Sequence, residues 1–413
     1  MTRIRAGAQG AREAGAACAV LIASLLSSAV RAEGMGSVAK GGPAFDPGAI
    51  LGHPRNGIRV ESVMTRITAF EQDGHGFQSQ AGPLLGAGSE HATILEPVVE
   101  VRASQGERVR HVFTVPVDVV TAASPDAVDS HRPKPDVVSA ASRQNYAGTI
   151  DWNSSYKANR ETEIGIRSGV HLEEPFRSWH GGFSFNSGFA DGATVLSASV
   201  LEVFDWFDNF DILGHRNGRT NRASTTGSVG ITQILTPTTL VVANYGLTVQ
   251  EGQLGNTWNS VPLASGKRGA ELLPSERVRH ALVARASQFL PWNGALRVYY
   301  RFYSDDWGIL AHTAEVELMQ RILPSLYVGA LYRQHWQKGA DFFTTLAAAT
   351  ATLRTSDSDL DQLTARTVGG RVVMDFPLDA GIRVLHIDMA WERYLRSNDL
   401  RANVVTWGTG YRF

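Results

Sequence analysis

Along most of the chain after residue 55, apolar and polar side chains take alternate positions. In YAGTIDWNSSY, Tyr146, Ile150, Trp152 and Tyr156 share one face, and Asn145, Asp151 and Asn153 share the other. ETEIGIRSGVHL sets Ile164, Ile166, Val170 and Leu172 against Glu161, Glu163, Arg167 and His171. WHGGFSFNSGF sets Trp179, Phe183, Phe185 and Phe189 against His180, Ser184 and Asn186. In ALRVYYRFYSD, Leu296, Val298, Tyr300 and Phe302 oppose Arg297, Tyr299, Arg301 and Tyr303. A period of two is the period of a strand with two unlike faces. The runs reach about ten residues or more, enough for a tilted strand to cross a bilayer. Strands of soluble sandwiches are about half as long.

Counting from about Gly57 gives roughly sixteen strands, joined by connections that alternate between short and long. The short ones fall at 104–107, 157–160, 190–193, 236–239, 291–294, 323–325 and 377–381. The longer ones fall at 71–91, 122–142, 173–178, 206–218, 252–275, 337–361 and 396–401, with 304–308 as a brief exception. Short periplasmic turns and longer outer loops are the asymmetry of outer-membrane barrels. The pattern predicts an all-β fold, a transmembrane antiparallel outer-membrane β-barrel over residues 56–413. In the last stretch, ANVVTWGTGYRF, Val405, Trp407, Tyr411 and Phe413 oppose Thr406, Gly408, Gly410 and Arg412. This strand is expected to close the barrel against the first. Trp407, Tyr411 and Phe413 also look like the signal read by the barrel-assembly machinery of Gram-negative bacteria.

If the apolar face meets lipid, the opposite face meets the lumen, because a charge facing lipid at mid-depth costs about 2–4 kcal/mol. The lumen-lining candidates are Glu96, Glu100, Arg102, Arg110, Asp118, Asp151, Glu163, Arg167, Arg279 and Arg285 in the first part of the chain. Arg297, Arg301, Glu315, Glu317, Arg321, Arg333, Arg371, Asp388 and Glu392 follow. Arg297 and Arg301 leave one strand as Glu315 and Glu317 enter the next, so cross-strand pairing is expected there. Opposite charges in this number are expected first to hold the wall, with charge selection of a solute as a second consequence. The mixture of signs expresses no preference for anions or cations.

Composition narrows the function classes. With 39 basic and 40 acidic residues the net charge is −1, so nothing favours nucleic acid as a partner. A mean hydropathy of −0.13 is too polar for a helical membrane protein and compatible with a barrel. The first residues read as a cleaved signal peptide, 1–32, with Arg3, Arg5 and Arg12 before the apolar stretch Ala16–Val30 and a Val-Arg-Ala cleavage site. The only cysteine, Cys18, lies within it. The Gly- and Pro-rich segment 33–55 reads as a flexible periplasmic tail.

Candidate chemistry is thin. Asp305 and Asp306 are weak metal candidates near His312, but an acidic turn capping a hairpin is the favoured reading. His386, Asp388 and Glu392 share one lumenal face in LHIDMAWE. No G-x-S-x-G, phosphate loop or H-E-x-x-H is present. No catalytic residue, cofactor or enzyme activity is therefore expected.

Three stretches resemble a widespread bacterial family, domain of unknown function 3570: TAASPDA (121–127), YRFYSDDWGILAHT (300–313) and YRQHWQKGADFF (332–343). The family is similar to outer-membrane barrels and has no established activity, so the resemblance implies the architecture and supplies no catalytic residue. The expected function is porin-like passage of a small solute through a charged lumen. The alternative is a closed, salt-bridged barrel whose loops bind an extracellular ligand or partner, and an outer-membrane enzyme is the weaker third. The expected surroundings are outer-membrane lipid and, during biogenesis, the assembly machinery.

Overall fold

The computed structural model describes residues 57–74, 92–121, 144–211, 215–255, 259–378 and 383–413. The expected signal peptide, the 33–55 segment and the 122–142 connection lie outside these residues. The first half of the chain forms β1 (Ile58–Asp73), β2 (Ala92–Gln105), β3 (Val109–Thr121), β4 (Gln144–Lys157), β5 (Thr162–Glu173), β6 (Phe176–Phe189), β7 (Thr194–Phe210), β8 (Arg216–Thr236) and β9 (Thr239–Gly252). A small hairpin, β10 (Ser260–Pro262) and β11 (Arg268–Ala270), follows. The rest is β12 (Glu276–Leu290), β13 (Gly294–Asp305), β14 (Leu310–Leu323), β15 (Leu326–Lys338), β16 (Leu363–Leu378), β17 (Arg383–Arg396) and β18 (Arg401–Arg412).

All strands except β10 and β11 join one closed antiparallel barrel, sixteen strands among the described residues. Closure comes from β1 pairing with β18, with Ile67 opposite Trp407 and Val63 opposite Tyr411. The Phe413 N–H donates to the Glu61 carbonyl at 3.0 Å, so the last aromatic sits in the wall beside Tyr411. A closed ladder leaves no unpaired backbone edge, the condition for strands to exist in hydrocarbon.

Register carries one phase around the whole wall. Ile150 stands opposite Val170, Val170 opposite Trp179, and Trp179 opposite Phe204, so the apolar faces of β4 to β7 are continuous. That face is exposed: Phe183 keeps 67% and Trp407 57% of its surface. Water-soluble proteins rarely leave apolar patches of this extent uncovered. Lipid is the medium that covers them, and the protein is an outer-membrane β-barrel.

A few outward positions are polar. His280 and His312 each meet a tyrosine hydroxyl, of Tyr245 at 2.8 Å and Tyr300 at 2.6 Å. Glu202 also faces outward, and the Thr225 hydroxyl donates to it at 2.5 Å. These pairs satisfy groups that lipid cannot.

The connections at 173–178 and 206–218 are shorter than the sequence pattern predicts. Only residues 174–175 separate β5 from β6, and pairing of β7 with β8 runs on to Phe210 and Arg216. Strand pairing satisfies the backbone of those residues directly, so alternation alone misplaces the end of a hairpin that continues beyond the lipid. The β10–β11 hairpin inside the 253–275 connection has no strand-length pattern and was not foreseen.

Candidate functional site

Register places the sequence-predicted charges on the phase opposite the exposed apolar residues. On β2, β3 and β5 these are Glu96, Glu100, Arg102, Arg110, Glu163 and Arg167. On β12 to β14 they are Arg285, Arg297, Arg301, Glu315, Glu317 and Arg321, followed by Arg333 on β15 and by Asp388 and Glu392 on β17.

Their pairing is uneven. Glu100 accepts from Arg102 at 2.7 Å, and Asp151 holds Arg167 at 3.1 Å and His180 at 2.6 Å. Glu317 joins Arg297 at 2.9 Å and lies 3.9 Å from Arg371. Glu315 binds Arg333 at 2.7 Å, and Glu392 lies 3.8 Å from the same guanidinium. The expected pairing of Arg297 with Glu317 therefore forms. Arg301 does not pair with Glu315, because the register sets Arg301 opposite Thr313 and Glu315 opposite Tyr299.

The result is a ladder of arginines down the β12–β13 wall. Its inward positions, from the long-loop end toward the short-turn end, are Arg277, Arg279 beside Asp305, Arg301 beside Val283, Arg285 beside Tyr299, and Arg297 beside Ser287. Successive inward positions on a strand are about 7 Å apart. Arg285 stacks over Tyr299 at 5.6 Å and Arg301 over Tyr303 at 5.5 Å. Among the described residues, Arg279, Arg285 and Arg301 have no carboxylate partner, and the buried Nε of Arg279 has no acceptor.

The ladder's upper end is anchored by the SDDWG stretch. Asp305 is fully buried and accepts from Arg277 at 2.5 Å, from the Tyr303 hydroxyl at 2.8 Å, and from the backbone N–H groups of Trp307 and Ile309. Asp306 caps the Val278 N–H at 3.0 Å. Arg277 also lies 4.2 Å from the Trp307 ring centre, and the Trp307 indole donates to the Glu276 carbonyl. Gly308 turns at φ +86°, where a side chain would meet Asp341 of the overlying loop. Both aspartates, the weak metal candidates, are thus engaged as hairpin caps. The described residues contain no group of three or more His, Cys, Asp or Glu side chains arranged for a metal ion.

Above the ladder, the long connections at 253–275 and 339–362 pack on each other. Leu272 and Arg354 exchange backbone hydrogen bonds, Arg354 donates to the Ala270 carbonyl, and Thr355 donates to Glu271 at 2.5 Å. Burial pushes the Glu271 carboxyl up to about 7. Desolvation likewise raises Asp357 and Asp361 above their ordinary range. Below this clasp lies a cavity of about 230 Å³ lined by Arg279, Arg301, Thr313, His335, Asp359 and Leu360. Larger hollows, of about 620 and 420 Å³, lie on the lipid-facing side of β5 to β9 among residues such as Phe183 and Val200. They lie on the apolar outer face, apart from the cavity at Arg279.

Residues 202–407 match the family described as protein of unknown function, DUF3570. The match includes β8 to β17, hence the ladder and both interlocked connections. Of the three resembling stretches, the second and third fall inside the DUF3570 segment and the first outside it. No functionally curated protein matches the sequence. Among solved structures, a bacterial polysaccharide outer membrane secretin is 10% identical, with 85% of this chain and 98% of that chain covered and a TM-score of 0.43. A BenF-like porin from Pseudomonas fluorescens Pf-5 is 8% identical, with 86% and 99% covered and a TM-score of 0.41. OpdK from Pseudomonas aeruginosa with vanillate is 7% identical, with 85% and 98% covered and a TM-score of 0.42.

Sequence reasoning missed Arg277, the partner that Asp305 takes, and the loop residues Asp359 and Leu360. Arg277 was readable, since it precedes Arg279 by two positions in the same phase. The loop residues carry no periodic signal.

Proposed function

We propose that this barrel is a porin-like passage for small solutes through a charged aqueous lumen. One observation carries the reading. Inward arginines on opposite parts of the wall keep nearly half their side-chain surface exposed: Arg66 45%, Arg167 46%, Arg297 47% and Arg371 45%. A guanidinium that stays half-exposed inside a barrel is hydrated, which favours a lumen with room for water over one packed shut. Planar-bilayer recording of the purified barrel tests it. Stepwise conductance is expected. Absence of conductance from protein shown to be folded by heat-modifiable gel mobility would overturn it.

The second reading is a closed barrel that displays its loops to a ligand. The interlocked connections at 253–275 and 339–362 favour it, since they clasp each other above the β12–β13 wall and Arg396, 5% exposed, holds Asp359 at 2.6 Å. Deleting residues 339–362 separates the two readings. A lid over a passage gives higher conductance when removed, whereas a closed barrel stays silent.

A further inference from the structure

We infer that the upper ladder is a binding and selection site for small anions bearing a carboxylate or phosphate group. The inference rests on the solute-passage reading and names its substrate class.

Overall charge gives no such preference, because basic and acidic residues nearly balance. Position breaks the balance. The lumenal carboxylates Glu315, Glu317 and Glu392 are engaged by Arg297, Arg333 and Arg371, and Asp388 by Arg66. Asp305 is engaged by Arg277, and Asp359, the acid that lines the cavity, by Arg396. What remains uncompensated among the inward residues of β12 and β13 is cationic: Arg279, then Arg301 two levels down with Tyr303 between them, then Arg285 on the next level. Asp305, opposite Arg279, is already held by Arg277, and the other lateral neighbours are neutral: Thr248 beside Arg279, Val242 and Tyr299 beside Arg285, and Val283 and Thr313 beside Arg301.

The chemistry of these groups fits an anion with two or more oxygens. A guanidinium presents parallel N–H donors that match a carboxylate or phosphate edge. The tyrosines beneath Arg285 and Arg301 hold the planes while leaving N–H edges free. The Arg279 Nε–H, buried at the cavity with no acceptor, is a donor that a ligand oxygen would complete. Thr313 adds a hydroxyl and His335 an imidazole on the same cavity wall. A solute leaving Arg279 passes Tyr303 and then meets Arg301 and Arg285. Several weak sites in series allow passage, where one tight site would trap the ion.

The test uses the full-length barrel in planar bilayers under a potassium chloride gradient, beside the triple variant Arg279→Gln, Arg285→Gln, Arg301→Gln. The wild type is expected to prefer chloride, and succinate added on the long-loop side to reduce the chloride current. The triple variant should lose at least roughly threefold in chloride-to-potassium permeability, the Coulomb effect of a single charge about 7 Å away in water. Cation preference in the wild type, or an unchanged ratio in the variant, overturns the anion assignment and leaves the passage reading standing. If the folded barrel does not conduct, the passage reading fails, and bromide-soaked crystals decide the site. Anomalous density between Arg279 and Arg301 keeps it as an anion-binding site, and its absence there overturns it. Heat-modifiable mobility of the variant confirms that it folds.

Discussion

Arg66 of β1 lies 3.6 Å from Asp388 of β17, although β18 runs between them. The contact exists because the intervening residue at that level is Gly408, paired on one side with Arg66 and on the other with Asp388. The missing side chain lets an ion pair span the closing seam. A Cβ at Gly408 would stand 2.1 Å from an Asp388 carboxylate oxygen. Gly408→Ala should therefore displace Asp388 and destabilise the seam by about 1–3 kcal/mol, the usual cost of overpacking. Urea unfolding from lipid vesicles, followed by gel mobility, measures it.

At the far end of the β12–β13 wall, Asp305 is the only carboxylate paired with Arg277 among the described residues, and both side chains are nearly or fully buried. Removing one partner of such a pair strands the other charge. Asp305→Asn should cost about 3–5 kcal/mol and loosen the hairpin cap over Trp307 and Ile309. The same urea assay, with Trp307 emission as a local readout, checks the size and the place of the effect.

The two faces of β6 make opposite predictions for one substitution. Phe183 points to lipid near mid-strand, and Ser184 points to the lumen. Phe183→Arg should lower folding stability by about 2–4 kcal/mol, while Ser184→Arg should cost much less. Folding yield into vesicles as a function of urea compares them.

The clasp of the outer connections should loosen as pH rises. Glu271 has a folded-state value of about 7 against an ordinary 4.5. Between those two values the folded form holds more protons than the unfolded one, so stability falls as pH rises through that window. Below about 4.5 the protonated clasp is at its strongest. Asp357 shifts the same way and adds its negative charge beside Glu271. Proteolysis within 253–275 and 339–362 should be faster at pH 8 than at pH 5, and Glu271→Gln should flatten that dependence.

The barrel itself was legible because lipid and water enforce alternation residue by residue. Ile150, Phe183, Val298 and Trp407 all stand on the face the pattern assigned them. The phase of the charges was legible for the same reason. Their pairing was not, because partners are set by register between strands. Arg297 with Glu317 followed from one hairpin, whereas Glu315 turns to Arg333 on the next strand and leaves Arg301 opposite Thr313. A near-zero net charge hid the three arginines of β12 and β13 that have no carboxylate partner among the described residues. The clasp was invisible because Glu271 and Thr355 are 84 positions apart in segments without a repeating pattern.

The central claim, that neighbouring residues of one strand face hydrocarbon and an accessible aqueous lumen, is tested most directly on β12. Ala286 faces lipid and Ser287 the lumen beside Arg297. With the single native cysteine, Cys18, replaced by serine, Ala286→Cys and Ser287→Cys are reconstituted in vesicles and exposed to a charged, water-soluble thiol reagent. The account predicts rapid labelling of Ser287→Cys and little of Ala286→Cys. Equal labelling of both, or labelling of Ala286→Cys alone, would contradict it.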